Sequence, residues 1–205
     1  MKVNINTRST PNHSISPRKR KSTYLTMAPF RIGVMIENVQ FSDVACVDII
    51  GNLSKESMAV AIELGYEEFL PLALDLEVLY ISSNLEPAFM TSSVKILPTI
   101  TYDDCPRDVD ILLIGGPPPT HRPEAAGRFI AEAAKETKVI LTTCVGSMWL
   151  ASAGVLDGKK ATTNRECLKM AKMMHPEVVW LDQRWVVDGK IWTSGGAGAG
   201  MLECL

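Results

Sequence analysis

Apolar residues fall along the chain in short runs separated by polar, glycine-bearing or proline-bearing breaks. R-I-G-V-M-I (31–36) is a compact β-rich run, and L-E-V-L-Y-I-S (76–82) alternates as a half-covered strand does. V-K-I-L-P-T-I-T-Y (94–102) reads as another strand, which Pro98 pushes toward a sheet edge because proline has no N–H to give a ladder. V-D-I-L-L-I-G-G (109–116) and V-I-L-T-T (139–143) are near-continuous apolar and β-branched runs, the pattern of strands buried in a parallel sheet. Between them, Phe129, Ile130 and Ala133 fall at helical spacing, and residues 55–66 and E-E-F-L-P-L-A-L (67–74) are helix-like or irregular. A small-residue helix is expected after Cys144, ending at Gly154, which suits the left-handed position past a helix end. Asp157-Gly158 and Asp188-Gly189 are hairpin-turn signals, the second between W-V-V and K-I-W-T. Strands alternating with helices predict a three-layer α/β fold with a largely parallel sheet.

Composition narrows the function classes. The 205 residues suit one domain, and 46% hydrophobic with 21% charged residues is ordinary for a globular chain. Residues 1–30 carry six basic groups and no acid, which leaves 15 basic against 23 acidic residues beyond them. A body with net charge −8 argues against a nucleic-acid groove. The Ser/Thr/Asn/Pro-rich stretch 1–29 is expected to be a disordered basic tail ahead of a domain at 30–205. Its P-R-K-R-K (17–21) fits a nuclear signal, and its acid-free leader fits a mitochondrial one. No apolar run approaches the ~20 residues that span a bilayer. Five cysteines (Cys46, Cys105, Cys144, Cys167 and Cys204) without a CxxC pair read as reduced thiols, so a cytoplasmic setting is expected. His13, His121 and His175 are scattered, which predicts no metal site.

Three features should converge at the carboxyl ends of the strands, where doubly wound sheets bind ligands: Gly115-Gly116, Cys144 and Asp48. A cysteine between a strand and a helix sits at the top of the sheet and at a helix N-terminus, where the dipole favours thiolate and lowers its pKa. The N–H groups of Val145 and Gly116 could then form an oxyanion hole. Spacing alone leaves Cys144 evenly balanced between nucleophile and buried thiol, and Asp48 open to a role as a helix cap. His121, in the loop near Gly116, reads as a solvated residue or a substrate contact, and His175 as a helix-end residue.

Taken in order, four stretches resemble the DJ-1/PfpI superfamily, and within it the isonitrile-hydratase-like branch. I-G-V-M-I followed by V-D-I-I-G-N resembles the first strand and the L-D-x-x-G-P motif. D-D-C-P-R-D-V-D-I-L-L-I-G-G resembles the strand leading to the oxyanion loop. T-T-C-V-G-S-M-W-L-A-S-A-G resembles the nucleophile elbow, and D-G-K-I-W-T-S-G-G-A-G-A-G the glycine-rich lead into the last helix. The resemblance implies a flavodoxin-like α/β/α sandwich. It also implies a cysteine-dependent hydratase or hydrolase for a small molecule, without a cofactor and possible as a homodimer. In it Cys144 would be the nucleophile, Asp48 the proton-shuttling acid, and Gly116 and Val145 the backbone oxyanion donors, with Gly115, Asn164 and His121 orienting substrate. A redox-sensing protective protein and a catalytically degenerate interaction protein remain the alternatives. Three departures stand out. Val145 replaces the branch's common threonine, Asn164 stands where many members have histidine, and the chain ends at Leu205, before the family's long C-terminal helix.

Overall fold

The structure, a computed structural model, describes residues 28–203. The basic tail read over 1–29 lies outside them except for its last two residues, as does Cys204. Among the described residues no helix is long and apolar enough to cross a membrane.

The chain begins with β1 (Phe30–Met35), then three short helices, α1 (Phe41–Val44), α2 (Cys46–Gly51) and α3 (Lys55–Glu63). β2 (Leu76–Ser82), β3 (Ala88–Phe89), β4 (Lys95–Ile96) and β5 (Ile100–Thr101) follow. Next come β6 (Ile111–Ile114), α4 (Glu124–Glu136), β7 (Val139–Thr142) and α5 (Gly146–Ser152). The last third holds β8 (Lys160–Ala161), α6 (Leu168–Met174), β9 (Val179–Trp180), β10 (Trp185–Asp188), β11 (Ile191–Ser194) and α7 (Ala197–Glu203).

Seven strands form one sheet in the order β10-β11-β7-β6-β1-β2-β5, parallel throughout except for the β10–β11 hairpin. From β1 the chain works outward to β2 and β5, then returns to β6 and works the other way. The order therefore reverses between β1 and β6, and the carboxyl ends of those strands form the switch point where doubly wound sheets bind ligands. The apolar runs explain the layers. α4 buries Ala126, Phe129, Ile130 and Ala133, one stripe at i, i+3, i+4 and i+7, against a core that includes Tyr102, Met148 and Trp149. The opposite face packs Ile32, Val34 and Leu113 beneath Val44 and Ile50 of α1 and α2. Each such side chain, once fully buried, contributes about 1.5–3 kcal/mol.

Two strand expectations change. The run 94–102 is not one strand: Pro98 divides it into β4, paired antiparallel with β3, and β5, at the edge of the main sheet. The Asp157-Gly158 turn exists, with Gly158 at φ +71°, but it joins no hairpin, because β8 pairs in parallel with the distant β9. Asp188-Gly189 does turn the β10–β11 hairpin, with Gly189 at φ +61°. α7 closes the described chain, packed against the turn after β7: a Cβ at Gly200 would lie 2.3 Å from Thr143 Cγ2.

Candidate functional site

Cys144 occupies the turn between β7 and α5 with φ +55°, a left-handed backbone that costs a non-glycine residue on the order of 1–3 kcal/mol. The neighbourhood holds it there. Thr163 Oγ1 donates to the Cys144 carbonyl at 3.1 Å, and Ser194 Oγ donates to the Thr142 carbonyl at 3.1 Å. Thr143 Oγ1 donates at 2.8 Å to the carbonyl of Asp43, which ties the turn to α1. The next residue but one must be glycine. A Cβ on Gly146 would lie 2.4 Å from the Ile114 carbonyl oxygen and 2.8 Å from that of Gly115. The sharp turn thus sets Cys144 past the carboxyl end of β7, while leaving the residue only 8% exposed.

The acid beside this thiol is Asp43, not Asp48. In α2 the buried positions are Cys46 and Ile50, four apart on one face. Asp48, two residues from each, lies on the far side of the helix and is exposed. Asp43, in α1, is 1% exposed, and its Oδ2 accepts the Gly116 N–H at 3.0 Å. Its other oxygen, Oδ1, is buried without a hydrogen-bond partner among the described residues. The Gly116 N–H, expected as an oxyanion donor, is therefore engaged by a carboxyl group. The approach is close: a Cβ on Gly116 would lie 2.8 Å from Val145 Cγ2 and 3.0 Å from Asp43 Oδ2.

Asn164 is the second side chain at the thiol. Its Nδ2 donates to Cys144 Sγ at 3.4 Å, and its Oδ1 accepts the Glu166 N–H at 3.0 Å, which fixes the sense of the amide. The structure thus brings Cys144, Val145, Gly116 and Asn164 together. Gly115 lies under the start of α5, and Val39 packs close against it. His121 turns to a different group: Asn38 Nδ2 lies 3.1 Å from its Nδ1, and Glu37 Oε1 lies 3.4 Å from its Nε2. Glu37 in turn accepts from the N–H and hydroxyl of Ser83. No three His, Cys, Asp or Glu side chains among the described residues group as a metal ion would require.

Electrostatics reverse one expectation. The helix N-terminus was expected to lower the Cys144 pKa, yet the thiol lies above its ordinary value. Burial pushes it up most and the Asp43 charge adds to that, against the opposing donors of Asn164 and Val145. Burial also raises Asp43, partly offset by the Gly116 N–H. A thiol and a carboxyl group side by side, both inclined to keep a proton, make a proton-donating pair rather than a standing thiolate. Cys105, buried elsewhere in the core, is pushed up to about 12 by burial, against the opposing charges of Arg107 and Arg31. Alkylation of Cys144 by iodoacetamide should accordingly rise through a midpoint above the ordinary thiol value. Asp43→Asn should move that midpoint down, because it removes the like charge. A wild-type midpoint at or below the ordinary value would contradict this electrostatic account.

Comparisons with known proteins agree with the fold and the ordered motifs. Over 130 residues, 62% of the chain, the sequence is 29% identical to isonitrile hydratase of Pseudomonas putida, of which the match spans 56%. The fold superimposes on a ThiJ/PfpI family protein from Pseudomonas syringae with a TM-score of 0.67 at 21% identity, over 94% of this chain and 72% of that one. It also superimposes on Schizosaccharomyces pombe DJ-1 with a TM-score of 0.62 at 17% identity, over 85% and 87%. The sequence pattern of the DJ-1/PfpI family matches residues 31–204, nearly the whole of the described domain, and the chain belongs to that family.

Proposed function

We propose that this chain is a cysteine-dependent hydratase that converts small isonitriles to N-formamides, with Cys144 as nucleophile and Asp43 as proton donor. The observation that carries the reading is the hydrogen bond from the Gly116 N–H to Asp43 Oδ2, beside the thiol. Acyl transfer needs backbone donors free to meet an oxyanion. The first step on an isonitrile makes no oxyanion. The sulfur bonds to the terminal carbon and that carbon gains one proton, giving a neutral thioimidate, R–N=CH–S–Cys144. A carboxyl group whose pKa is raised by burial is suited to deliver that proton, and the thiol proton returns to the carboxylate. Water then adds across the C=N bond, with hydroxyl to carbon and hydrogen to nitrogen. The C–S bond breaks as the hydroxyl proton passes to sulfur, and N-formamide leaves.

The relative in Pseudomonas putida supports the same chemistry. The depth of Cys144 favours a slender, linear reacting group over a peptide or a branched ester. A thiol raised above its ordinary value by burial speaks against the redox-sensing alternative, which depends on ready thiolate. The test is formamide production by the intact chain from alkyl and aryl isonitriles, followed by chromatography. The wild type should turn them over and Cys144→Ala should fall to background. Equal turnover by the two proteins would end the proposal.

A further inference from the structure

If Asp43 holds the Gly116 N–H, something else must meet the oxygen that develops when water adds to the thioimidate. We infer that Asn164 supplies that donor, taking part through its Nδ2 in the hydration half of the reaction rather than in the attack by sulfur. This assignment rests on the hydratase reading above.

The geometry is specific. The amide of Asn164 cannot turn over without losing the Glu166 N–H from its Oδ1, so its NH2 group faces the thiol. That group carries two N–H bonds. One is directed to Cys144 Sγ at 3.4 Å, and the other remains for a second acceptor. In the thioimidate the reacting carbon is bonded to Sγ, so an oxygen added to that carbon sits two bonds from the sulfur, within reach of a donor beside it. The Val145 N–H faces the sulfur itself. An amide is neutral and neither gives up nor takes a proton here. It holds the entering oxygen while nitrogen gains its proton, and it holds the hydroxyl until the C–S bond breaks. A histidine at this position would compete for the thiol proton; asparagine leaves proton transfer to Asp43.

The test separates the two halves of the reaction. The intact chain is mixed with benzyl isocyanide, quenched at intervals, and weighed by mass spectrometry while N-benzylformamide is measured. Asn164→Asp keeps the acceptor for the Glu166 N–H, and so the local turn, but removes the donor; Asn164→Ala is the companion variant. Both should form the covalent adduct and accumulate it, with release slowed on the order of 10²–10³-fold, as loss of one oxyanion donor does. Adduct that forms and disappears at wild-type rates in both variants overturns the assignment. So does failure to form adduct in variants with wild-type melting temperature, which would place Asn164 in the attack step. A wild type that yields neither adduct nor formamide instead removes the hydratase reading on which the assignment stands.

Discussion

Asp43→Asn should cost activity and add stability at once. The amide keeps an oxygen for the Gly116 N–H but cannot deliver a proton, so isonitrile turnover should fall by about 10²–10⁴-fold. Stability moves the other way. The carboxyl group is raised by burial, so its folded-state pKa lies above its unfolded one. Stability from the bound proton is present at low pH and lost as pH rises through the folded value, leaving a buried charge whose Oδ1 has no donor. The variant removes that charge. Its melting temperature should exceed wild type at pH 7–8, and the gap should close near pH 3, where the carboxyl is protonated in both states. Thermal unfolding across pH tests this together with turnover. Retained turnover would exclude Asp43 as the acid, and a lower melting temperature at pH 8 would show that the charge is compensated.

Gly146→Ala should be the most damaging single methyl group in the domain. The atoms it would meet are the carbonyls of Ile114 and Gly115, backbone that cannot rotate aside. Either α5 moves off the end of β6 or the Gly115-Gly116 turn opens, and both dismantle the thiol's surroundings. The cost should be about 3 kcal/mol or more, a fall in melting temperature of roughly 6–12 °C for a domain of this size. Gly127→Ala is the control. It lies within α4 with nothing within 4 Å of its Cβ position, and should stabilise by about 0.5–1 kcal/mol through helix propensity. If the two variants melt alike, the steric argument at Gly146 is wrong.

The strands at 109–116 and 139–143 and the hairpin at Asp188-Gly189 could be read from the sequence because each is set by local pattern: unbroken apolar runs, and a turn residue free to take positive φ. The thiol's turn was legible for the same reason. Asp43 was not. In S-D-V-A-C-V-D-I-I-G two aspartates lie five residues apart, and periodicity cannot tell which faces inward until the helix break at Ala45 is known. The signal that separates them is the pairing of Cys46 with Ile50, which leaves Asp48 on the outer side. The thiol's pKa failed for a related reason. A helix N-terminus is visible in sequence, whereas burial and the approach of Asp43 from a residue 101 positions earlier are not. Likewise, Pro98 suggested an edge but not that its run serves two sheets.

The contacts that hold Cys144 at φ +55° have a temporal consequence. Thr163, Ser194 and the close-packed Gly200 all lie later in the chain than the cysteine they secure. At ribosomal rates of about 5–20 residues per second, the 56 residues from Cys144 to Gly200 take roughly 3–11 s to make. During that interval a nascent chain carries the cysteine on a turn that lacks these three contacts. The strained backbone of Cys144 is thus among the last features of the domain to be secured.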